Sequence, residues 1–229
     1  MNHAITVIVP TLNESESIGG LLGVLKDADQ LLTIIVVDGG STDNTVEIAE
    51  SHNVKVIHAS PGRGSQMHAG ALIAEGEVFW FIHADTIPPL AAVSEMRFAL
   101  KDPRVAAGNF SVRFEGRSIA SQFLTWLYPQ LRRLGLIYGD SAIFVRRDVY
   151  ERVSGFRPFP IFEDVDLIRR VKKEGEIVTL PATLVTSSRR FEKRSFALTF
   201  IRWMFLQLLY WVGVSPTFLG RMYHPRRRT

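Results

Sequence analysis

The sequence of 229 residues contains no cysteine. This absence excludes disulfide bonds, thiolate metal sites and cysteine nucleophiles, and it fits a reducing cytosol. There is also no basic N-terminal segment followed by a long apolar stretch, because the apolar run from Ile5 to Val9 is short and leads directly into polar residues. We therefore expect no signal peptide and a cytoplasmic protein. With 46% apolar and 22% charged residues, the chain has enough apolar side chains for one large folded domain.

Net positive charge is found only at the C-terminus of the chain. Residues 189–229 contain nine Lys and Arg residues and one acidic residue, a net charge of +8, whereas the preceding 188 residues carry −4. A basic tail of this kind can bind nucleic acid, acidic lipid headgroups or phosphorylated substrates. Because the rest of the chain is acidic, we do not expect a nucleic-acid-binding protein.

Strands and helices alternate over the first 85 residues. Short apolar runs rich in β-branched residues predict four strands, and stretches with apolar residues at helical spacing lie between them. This order predicts an α/β fold with a Rossmann-like, mainly parallel central sheet flanked by helices. Ligands of such sheets bind beyond the carboxyl ends of the strands, so three acid-bearing loops are expected to converge, at residues 11–14, 38–43 and 83–85. Residues 1–190 are expected to form this domain, and residues 191–229 an apolar helical and basic C-terminal extension.

Two of these loops have residues suited to a nucleotide. Residues 10–14 bring polar groups that can hold a base or a ribose, and Asp38 ends a strand just before two glycines that let a ligand approach the backbone. Each loop also has a simpler interpretation as a helix-capping turn, because Asn13 and Ser41 are capping residue types.

The other acidic motifs suit a charged centre. His83 and Asp85 follow an apolar strand and offer an imidazole and a carboxylate to a divalent ion that bridges phosphate oxygens. Two ligands are too few for a cage made by protein alone, but they suit a metal shared with a diphosphate. Glu163 and Asp164 begin a predicted helix, where one carboxylate can take the proton from an attacking hydroxyl. Alternatively, the first pair bonds within its own loop and the second complements the helix dipole.

Taken in order, these motifs resemble glycosyltransferase family 2, whose members have the GT-A fold. The resemblance rests on V-x-V-P-x-x-N-E, V-x-D-x-x-S-x-D-x-T, R-G-x-x-x-x-x-G, D-x-D and E-D motifs, which correspond here to residues 7–14, 36–45, 63–71, 83–85 and 163–164. It covers residues 4–190. The resemblance implies the inverting transfer of a hexose from a nucleotide-diphosphate sugar to an acceptor hydroxyl, with Mg²⁺ or Mn²⁺ as the divalent cation.

The resemblance also implies a role for each matching residue. The nucleotide and its phosphates would be bound by seven residues, namely Pro10, Thr11, Asn13, Glu14, Asp38, Arg63 and Ala84. Asp38 would hold the base, and Asp85 would be the principal metal ligand beside His83. Asp164 would be the general base, Glu163 would help orient the acceptor, and residues 139–141 would shape the acceptor side.

Two features depart from the family pattern, and a third narrows the resemblance to a subgroup of the family. His83 replaces the usual first aspartate, and imidazole favours softer ions than carboxylate does. The later Q-x-x-R-W motif is absent, but Arg189 and Arg190 stand in a comparable place. They would neutralise the departing diphosphate, unless they belong to a solvated basic loop. The segments His83–Thr86, Gly139–Ala142 and Ser187–Phe191 resemble the radical-SAM/selenodomain-associated transferases, a subgroup that does not fix the acceptor.

The segment Phe196–Val212 is almost entirely apolar or aromatic. It is short for a membrane-spanning helix, and Arg202 in its middle would be costly in lipid. The alternatives are packing on the domain, pairing in a homodimer, and contact with the inner face of a membrane. Its basic flanks, together with the amphipathic stretch Ile119–Leu136, would suit a lipid-facing patch.

Two further functions compete with glycosyl transfer. A nucleotidyltransferase also combines a Rossmann-like sheet with a metal, but it normally has a Gly-rich basic loop after its first strand, which residues 10–14 lack. A catalytically inactive sugar-nucleotide-binding protein would fit His83, whereas the presence of Asp85 and Asp164 argues against it. Between donors, frequency within the family favours a UDP-sugar over a GDP-sugar.

Overall fold

The structure, a computed structural model, describes residues 3–116, 118–187 and 196–223. The strands are β1 (Ile5–Thr11), β2 (Thr33–Asp38), β3 (Lys55–His58), β4 (Val78–Phe81), β5 (Thr86–Ile87), β6 (Val105–Phe114), β7 (Phe144–Arg146) and β8 (Glu176–Thr186). The helices are α1 (Ile18–Ala28), α2 (Thr45–Ser51), α3 (Arg63–Leu72), α4 (Ala92–Ala99), α5 (Ile119–Arg133), α6 (Arg147–Arg152), α7 (Glu163–Val171), α8 (Phe196–Trp211) and α9 (Pro216–Tyr223). A single 3-10 turn, Gly139–Ser141, precedes β7.

The strands form one sheet in the order β3-β2-β1-β4-β7-β6-β8-β5. The first four in this order are parallel, as the alternation of strands and helices predicts. Beyond β4 the sheet is not purely parallel, because β7 is antiparallel to both of its neighbours and β5 is antiparallel to β8, whereas β6 and β8 are parallel to each other. The sheet is therefore mixed. The chain re-enters β7 at the end of the sheet where it leaves β6, so α5 does not act as a parallel crossover.

Both faces of the sheet are covered, which explains the continuous apolar character of its central strands. All seven residues of β1 are buried, and successive side chains point to opposite faces. Val7 and Val9 pack with Leu22 of α1, whereas Ile8 packs with Met67 of α3. Complete burial of such a side chain contributes about 1.5–3 kcal/mol. This two-sided core fixes the carboxyl ends of β1, β2 and β4, from which the polar loops emerge.

The helices α8 and α9 pack against α5 and against the segment that precedes α7. Leu206 and Leu219 are buried in one apolar cluster with Leu131 and Phe162. Within the three described ranges, no helix has both the length and the apolar content needed to cross a membrane. The expected domain boundary at residue 190 lies outside the described residues.

Candidate active site

The loops after β1 and β2 are joined to each other by hydrogen bonds. The backbone N–H of Asn13 donates to the hydroxyl of Ser41 over 2.9 Å, and the Asn13 side-chain oxygen accepts from the N–H of Thr42 over 2.8 Å. Asn13 has φ 56°, in the left-handed region that asparagine tolerates better than most residues. Sequence analysis allowed either a ligand loop or a capping turn here, and the described contacts are loop-to-loop contacts that shape a crevice wall.

A second set of bonds joins the same loops one turn further on. The N–H of Glu14 donates to the hydroxyl of Thr45 over 2.8 Å, and the N–H of Ser15 donates to Asp43 over 3.2 Å. Hydrogen bonds from Thr45 and Ser15 lower the pKa of Asp43 to about 2. The carbonyl of Glu14 meanwhile accepts from the N–H groups of Ser17 and Ile18 at the start of α1.

Pro10 lies in a central strand, where proline is unusual because it lacks an N–H. The pairing of β1 with β4 covers Ile5 to Ile8 only, and the carbonyl of Ile8 accepts from Ile82 on that side. The backbone of Pro10 faces β4, as that of Ile8 does, but Pro10 lies beyond the last residue that pairs with β4. The N–H group that proline lacks is therefore not needed for a hydrogen bond between the two strands. Proline thus ends the β1–β4 pairing at the position where the crevice opens.

Asp38 is 1% exposed, and its carboxylate accepts hydrogen bonds from its own loop. One oxygen accepts from the N–H groups of Gly40 and Ser41 over 2.8 and 2.9 Å, and the other accepts from the Ser41 hydroxyl over 2.5 Å. Burial raises the pKa of Asp38, but these hydrogen bonds outweigh it and lower the pKa below its ordinary value. Asp38 therefore shapes the β2 loop, and a contact to the base would be additional to this role.

Sequence analysis missed Gln66, which is 3% exposed beneath the same loops. Its side-chain nitrogen donates to the carbonyls of Thr11 and Val37, each over 2.8 Å, and its oxygen accepts from the N–H of Gly62 over 3.2 Å. One amide thus fixes the ends of β1 and β2 and the start of α3. The sequence signal for this role is a glutamine on a helix face whose other residues are small or apolar.

Arg63 is the first residue of α3 and has an exposed side chain. A cation at a helix N-terminus is opposed by the helix dipole, so it needs nearby anions. Desolvation lowers the pKa of Arg63, but the charges of four carboxylates outweigh it and raise the pKa, namely those of Asp140, Glu163, Asp85 and Asp164. Arg63 is therefore close enough to acids from three separate segments to interact with them electrostatically.

Gly64 explains why a glycine follows this arginine. A Cβ at this position would lie 2.8 Å from the carbonyl of Arg157 and 3.1 Å from Cβ of Glu163. The first turn of α3 can thus approach α7 closely, because residue 64 has no side chain. This contact brings Arg63 and Glu163 to the same side of the crevice.

His83 and Asp140 form a pair that sequence analysis did not connect. Nδ1 of His83 lies 3.2 Å from an oxygen of Asp140, whose other oxygen accepts from the Tyr128 hydroxyl over 2.8 Å. Burial raises the pKa of Asp140, but His83, Arg63 and Tyr128 together hold it below its ordinary range. A carboxylate on the 3-10 turn therefore lies beside the imidazole that replaces the expected aspartate.

Asp164 is held by two backbone donors. One oxygen accepts from the N–H of Gly139 over 2.6 Å, and the other accepts from the N–H of Val165 over 2.7 Å. Burial raises the pKa of Asp164, and the charge of Asp140 adds to this effect, although the two hydrogen bonds oppose it. The result is an oriented carboxylate with raised basicity, which is what a general base requires.

Glu163 is 8% exposed, and its pKa is also raised, first by burial and then by the charge of Asp164. The preceding residue, Phe162, has φ 64°, an unusual conformation for a bulky side chain. Backbone strain of this kind costs about 1–3 kcal/mol and persists only where packing enforces it. Here Phe162 is 3% exposed and packs on Tyr210 with ring centroids 4.9 Å apart. The strained residue directly precedes the two carboxylates at the start of α7.

The donor groups present fit a divalent cation that takes most of its ligands from a phosphate. No cluster of three or more His, Asp or Glu side chains suited to a metal occurs in the part of the chain that the structure describes. Mg²⁺ typically binds one or two carboxylates together with substrate phosphates and water, so a single carboxylate such as that of Asp85 would be enough on the protein side. Nδ1 of His83 faces Asp140 and its Nε2 lies beside Gly139, so the geometry favours Asp85 as the ligand.

The other predicted nucleotide-binding residues differ in what they can offer a ligand. The backbone carbonyl of Thr11 is already bonded to Gly39 and Gln66, and the side chain of Ala84 packs in the core. Arg189 and Arg190 lie outside the described residues. Their predicted roles therefore remain predictions.

This geometry defines the class of protein. It is an α/β protein with polar loops at the carboxyl ends of parallel strands, where an arginine interacts with clustered carboxylates. The model of the family "Glycosyl transferase family 2" matches residues 6–154, which is more than half of the chain. The chain belongs to glycosyl transferase family 2. An uncharacterized glycosyltransferase of Mycobacterium tuberculosis is 40% identical over 83 residues, which make up 36% of this chain and 37% of that protein. The match spans little more than a third of that relative.

Two solved structures resemble this fold. Glucosyl-3-phosphoglycerate synthase from Mycobacterium tuberculosis, in complex with Mn²⁺, UDP and glucosyl-3-phosphoglycerate, has a TM-score of 0.60 and 22% identity, over 79% of this chain and 70% of that chain. The mannosyltransferase from Pyrobaculum calidifontis, in complex with GDP-Man and Mn²⁺, has a TM-score of 0.62 and 24% identity, over 81% and 57%. The expected α/β fold of the GT-A type is confirmed. The radical-SAM/selenodomain subgroup stays a prediction.

Proposed function

We propose that this chain transfers a hexose, with inversion of configuration, from a nucleotide-diphosphate sugar to an acceptor hydroxyl. The observation that carries the proposal is the position of Asp164. Its carboxylate is fixed by the N–H groups of Gly139 and Val165, has a raised pKa, and lies in the same electrostatic site as Arg63 and Asp85. A base and a phosphate-binding region are thus side by side.

On the donor side, the joined loops after β1 and β2 form a wall for the nucleoside. Asn13 and Asp38 hold this wall in shape, and Gln66 supports it from below. The two similar solved structures bind UDP and GDP-Man, respectively, so they support a nucleoside diphosphate without choosing its base. We retain a UDP-sugar as the preferred donor from family frequency.

On the phosphate side, Arg63 offsets the negative charge of the diphosphate as it leaves. Asp85 would hold a divalent cation, which when bound supplies positive charge to the phosphate oxygens. Positioned charges of this kind typically contribute several kcal/mol to transition-state stabilisation. Arg189 and Arg190 are proposed to add to this charge.

On the acceptor side, Asp164 takes the proton from the acceptor hydroxyl. The acceptor oxygen then attacks the anomeric carbon while the bond from that carbon to the phosphate oxygen breaks, and the nucleoside diphosphate leaves with the bonding electrons. A single displacement inverts the anomeric centre. Glu163 lies beside this path and orients the acceptor, and the turn at Gly139 limits its width.

The test is thermal unfolding of the full chain with UDP, GDP, CDP, dTDP or ADP, each with Mn²⁺, Mg²⁺ or no metal. A ligand at about 100 times its dissociation constant stabilises by about 2.7 kcal/mol. For a domain of this size, that raises Tm by roughly 5–10 °C. We expect one nucleoside diphosphate to stabilise only with metal, and Asp85→Ala to lose this shift. Asp27→Ala, which changes an exposed aspartate on α1, should keep it.

Three results would contradict the proposal. If no nucleotide shifts Tm, the crevice does not bind a sugar nucleotide. If turnover of a nucleoside triphosphate releases inorganic diphosphate, the chain is a nucleotidyltransferase. Metal-dependent nucleotide binding without turnover of any tested sugar nucleotide would support an inactive sugar-nucleotide-binding protein instead.

A further inference from the structure

The helix α8 has two apolar faces, of which only one is covered by the protein. The inward face carries Trp203, Leu206, Gln207 and Tyr210, and Leu206 and Gln207 are fully buried. The outward face carries five large apolar side chains that are 51–70% exposed, namely Leu198, Ile201, Phe205, Leu208 and Trp211, and Val212 directly after the helix is 77% exposed. Their spacing of three or four residues places them along one side of the helix. We call this side the outward face of α8.

The inward face supports the segments that hold Asp164. The side-chain oxygen of Gln207 accepts from the Tyr138 hydroxyl over 3.0 Å, and Trp203 packs on Tyr138 with ring centroids 5.2 Å apart. Tyr138 directly precedes Gly139, the hydrogen-bond donor to Asp164. Tyr210 packs on Phe162, two residues before Asp164. These contacts fix α8 in place, so its outward face is a defined surface of the folded protein.

The exposed surface continues onto α5. Phe123 contacts Phe200 with ring centroids 5.4 Å apart, and Trp126, one turn further along α5, is 61% exposed. Arg202 is the only charged residue in the sequence of α8, and its guanidinium donates to the carbonyls of Met222 and Tyr223 at the end of α9. Proteins that remain in water rarely expose continuous apolar surfaces of this kind.

The charge of the segments on either side of α8 indicates which partner the outward face binds. Lys193 and Arg194 precede α8, and Arg221 and Arg226–Arg228 follow it, within a segment of net charge +8. If two copies joined through this face, their two basic segments would come together and repel each other. An anionic bilayer attracts them instead, while its acyl region accepts the apolar side chains.

We propose that the outward face of α8, with Trp126, docks onto the surface of an anionic lipid bilayer. The helix has 16 residues and is about 24 Å long, shorter than the roughly 30 Å hydrocarbon core, so it lies along the surface. This inference is independent of the sugar-transfer proposal.

The test is sedimentation of the full chain with phosphatidylcholine vesicles that contain or lack 30% phosphatidylglycerol. Binding to the anionic vesicles should be stronger by about fivefold for each Lys or Arg that reaches the headgroups, and it should weaken in high salt. The double variant Ile201→Glu/Phe205→Glu should reduce binding by at least about tenfold. The matched control Leu31→Glu/Leu72→Glu changes two exposed side chains that lie outside α5, α8 and α9, and it should bind within about twofold of the native chain.

A second measurement uses the native chain alone. Trp126 and Trp211 are 61% and 54% exposed, so brominated lipids should quench their fluorescence in anionic vesicles. An absence of both sedimentation and quenching at low salt overturns the proposal. A concentration-dependent dimer that the double variant abolishes, without vesicle binding, also overturns it and assigns the face to a second copy.

Discussion

The N–H of Gly139 donates to Asp164 over 2.6 Å, across 25 residues of sequence. This bond joins the turn before β7 to the first turn of α7, and it fixes the orientation of the Asp164 carboxylate. Gly139 also contacts His83, since a Cβ on residue 139 would lie 3.1 Å from Nε2 of His83 and 3.5 Å from the Asp164 oxygen. The orientation of the proposed base therefore depends on a residue without a side chain.

Gly139→Ala should lower kcat by up to about a hundredfold, because the new methyl group crowds His83 and shifts the turn whose N–H holds Asp164. Steady-state kinetics with the donor identified by thermal unfolding would measure this effect. The matched control is Gly23→Ala in α1, whose Cβ would meet no described atom within 4 Å. That control should keep full activity and gain about 0.5–1 kcal/mol of stability. Equal activity of the two variants would refute a positioning role for Gly139.

Asp164→Asn should lower kcat by about 10²–10⁴-fold, because an amide cannot take the proton from the acceptor. The nucleotide-dependent shift in Tm should persist, since the change leaves the donor side intact. Asp148→Asn, which alters an exposed aspartate on α6, is the control and should be close to native in both measurements. Native turnover by Asp164→Asn would show that another group is the base.

Glu163→Gln should make the protein more stable at high pH. Because burial and Asp164 raise the pKa of Glu163 in the folded state, the native protein holds this proton more tightly than the unfolded chain does. Stability is thus fully present below about pH 4.5 and falls as pH rises through the folded-state pKa. The variant removes this loss, so its Tm should exceed the native Tm at pH 8 and match it near pH 4. A difference that is the same at both pH values would contradict the raised pKa.

Gln66→Met should destabilise the fold by about 1–3 kcal/mol, because similar volume is kept while buried carbonyls lose a donor. A fall in Tm of roughly 2–10 °C is expected. The control is Met67→Leu at the neighbouring buried position, where a volume-conserving change costs less than about 1.5 kcal/mol. If Gln66→Met is no less stable than the control, the amide is not the support that its hydrogen bonds suggest.

Sequence patterns predicted the first half of the fold well, because strand and helix alternate there with a clear apolar period. The four apolar residues Ile18, Leu21, Leu22 and Leu25, which predict α1, are all buried in it. The acid-bearing loops after β1 and β2 also lie against each other, as parallel topology requires. Beyond β4 the pattern does not give strand direction, so the antiparallel entry of β7 was not predicted.

The contacts that sequence analysis missed are long-range ones between unremarkable residues. Asp140 follows a glycine in a short turn, and only the fold brings it to His83. Gln207 lies in an apolar helix, where it would be expected to face solvent, yet it is 2% exposed and accepts from Tyr138. The two faces of α8 also escape a periodicity analysis, because both are apolar and differ only in what covers them.

The bonds between the β1 and β2 loops have a thermodynamic consequence. Asn13 to Thr42 and Gln66 to Val37 are formed within the folded chain itself. The conformational entropy of these loops is therefore lost during folding and not when a nucleotide arrives. Discrimination between one base and another then depends on direct contacts and displaced water. Rearranging the β1 and β2 loops to fit a poorly matching base would cost free energy, because their hydrogen bonds would have to break.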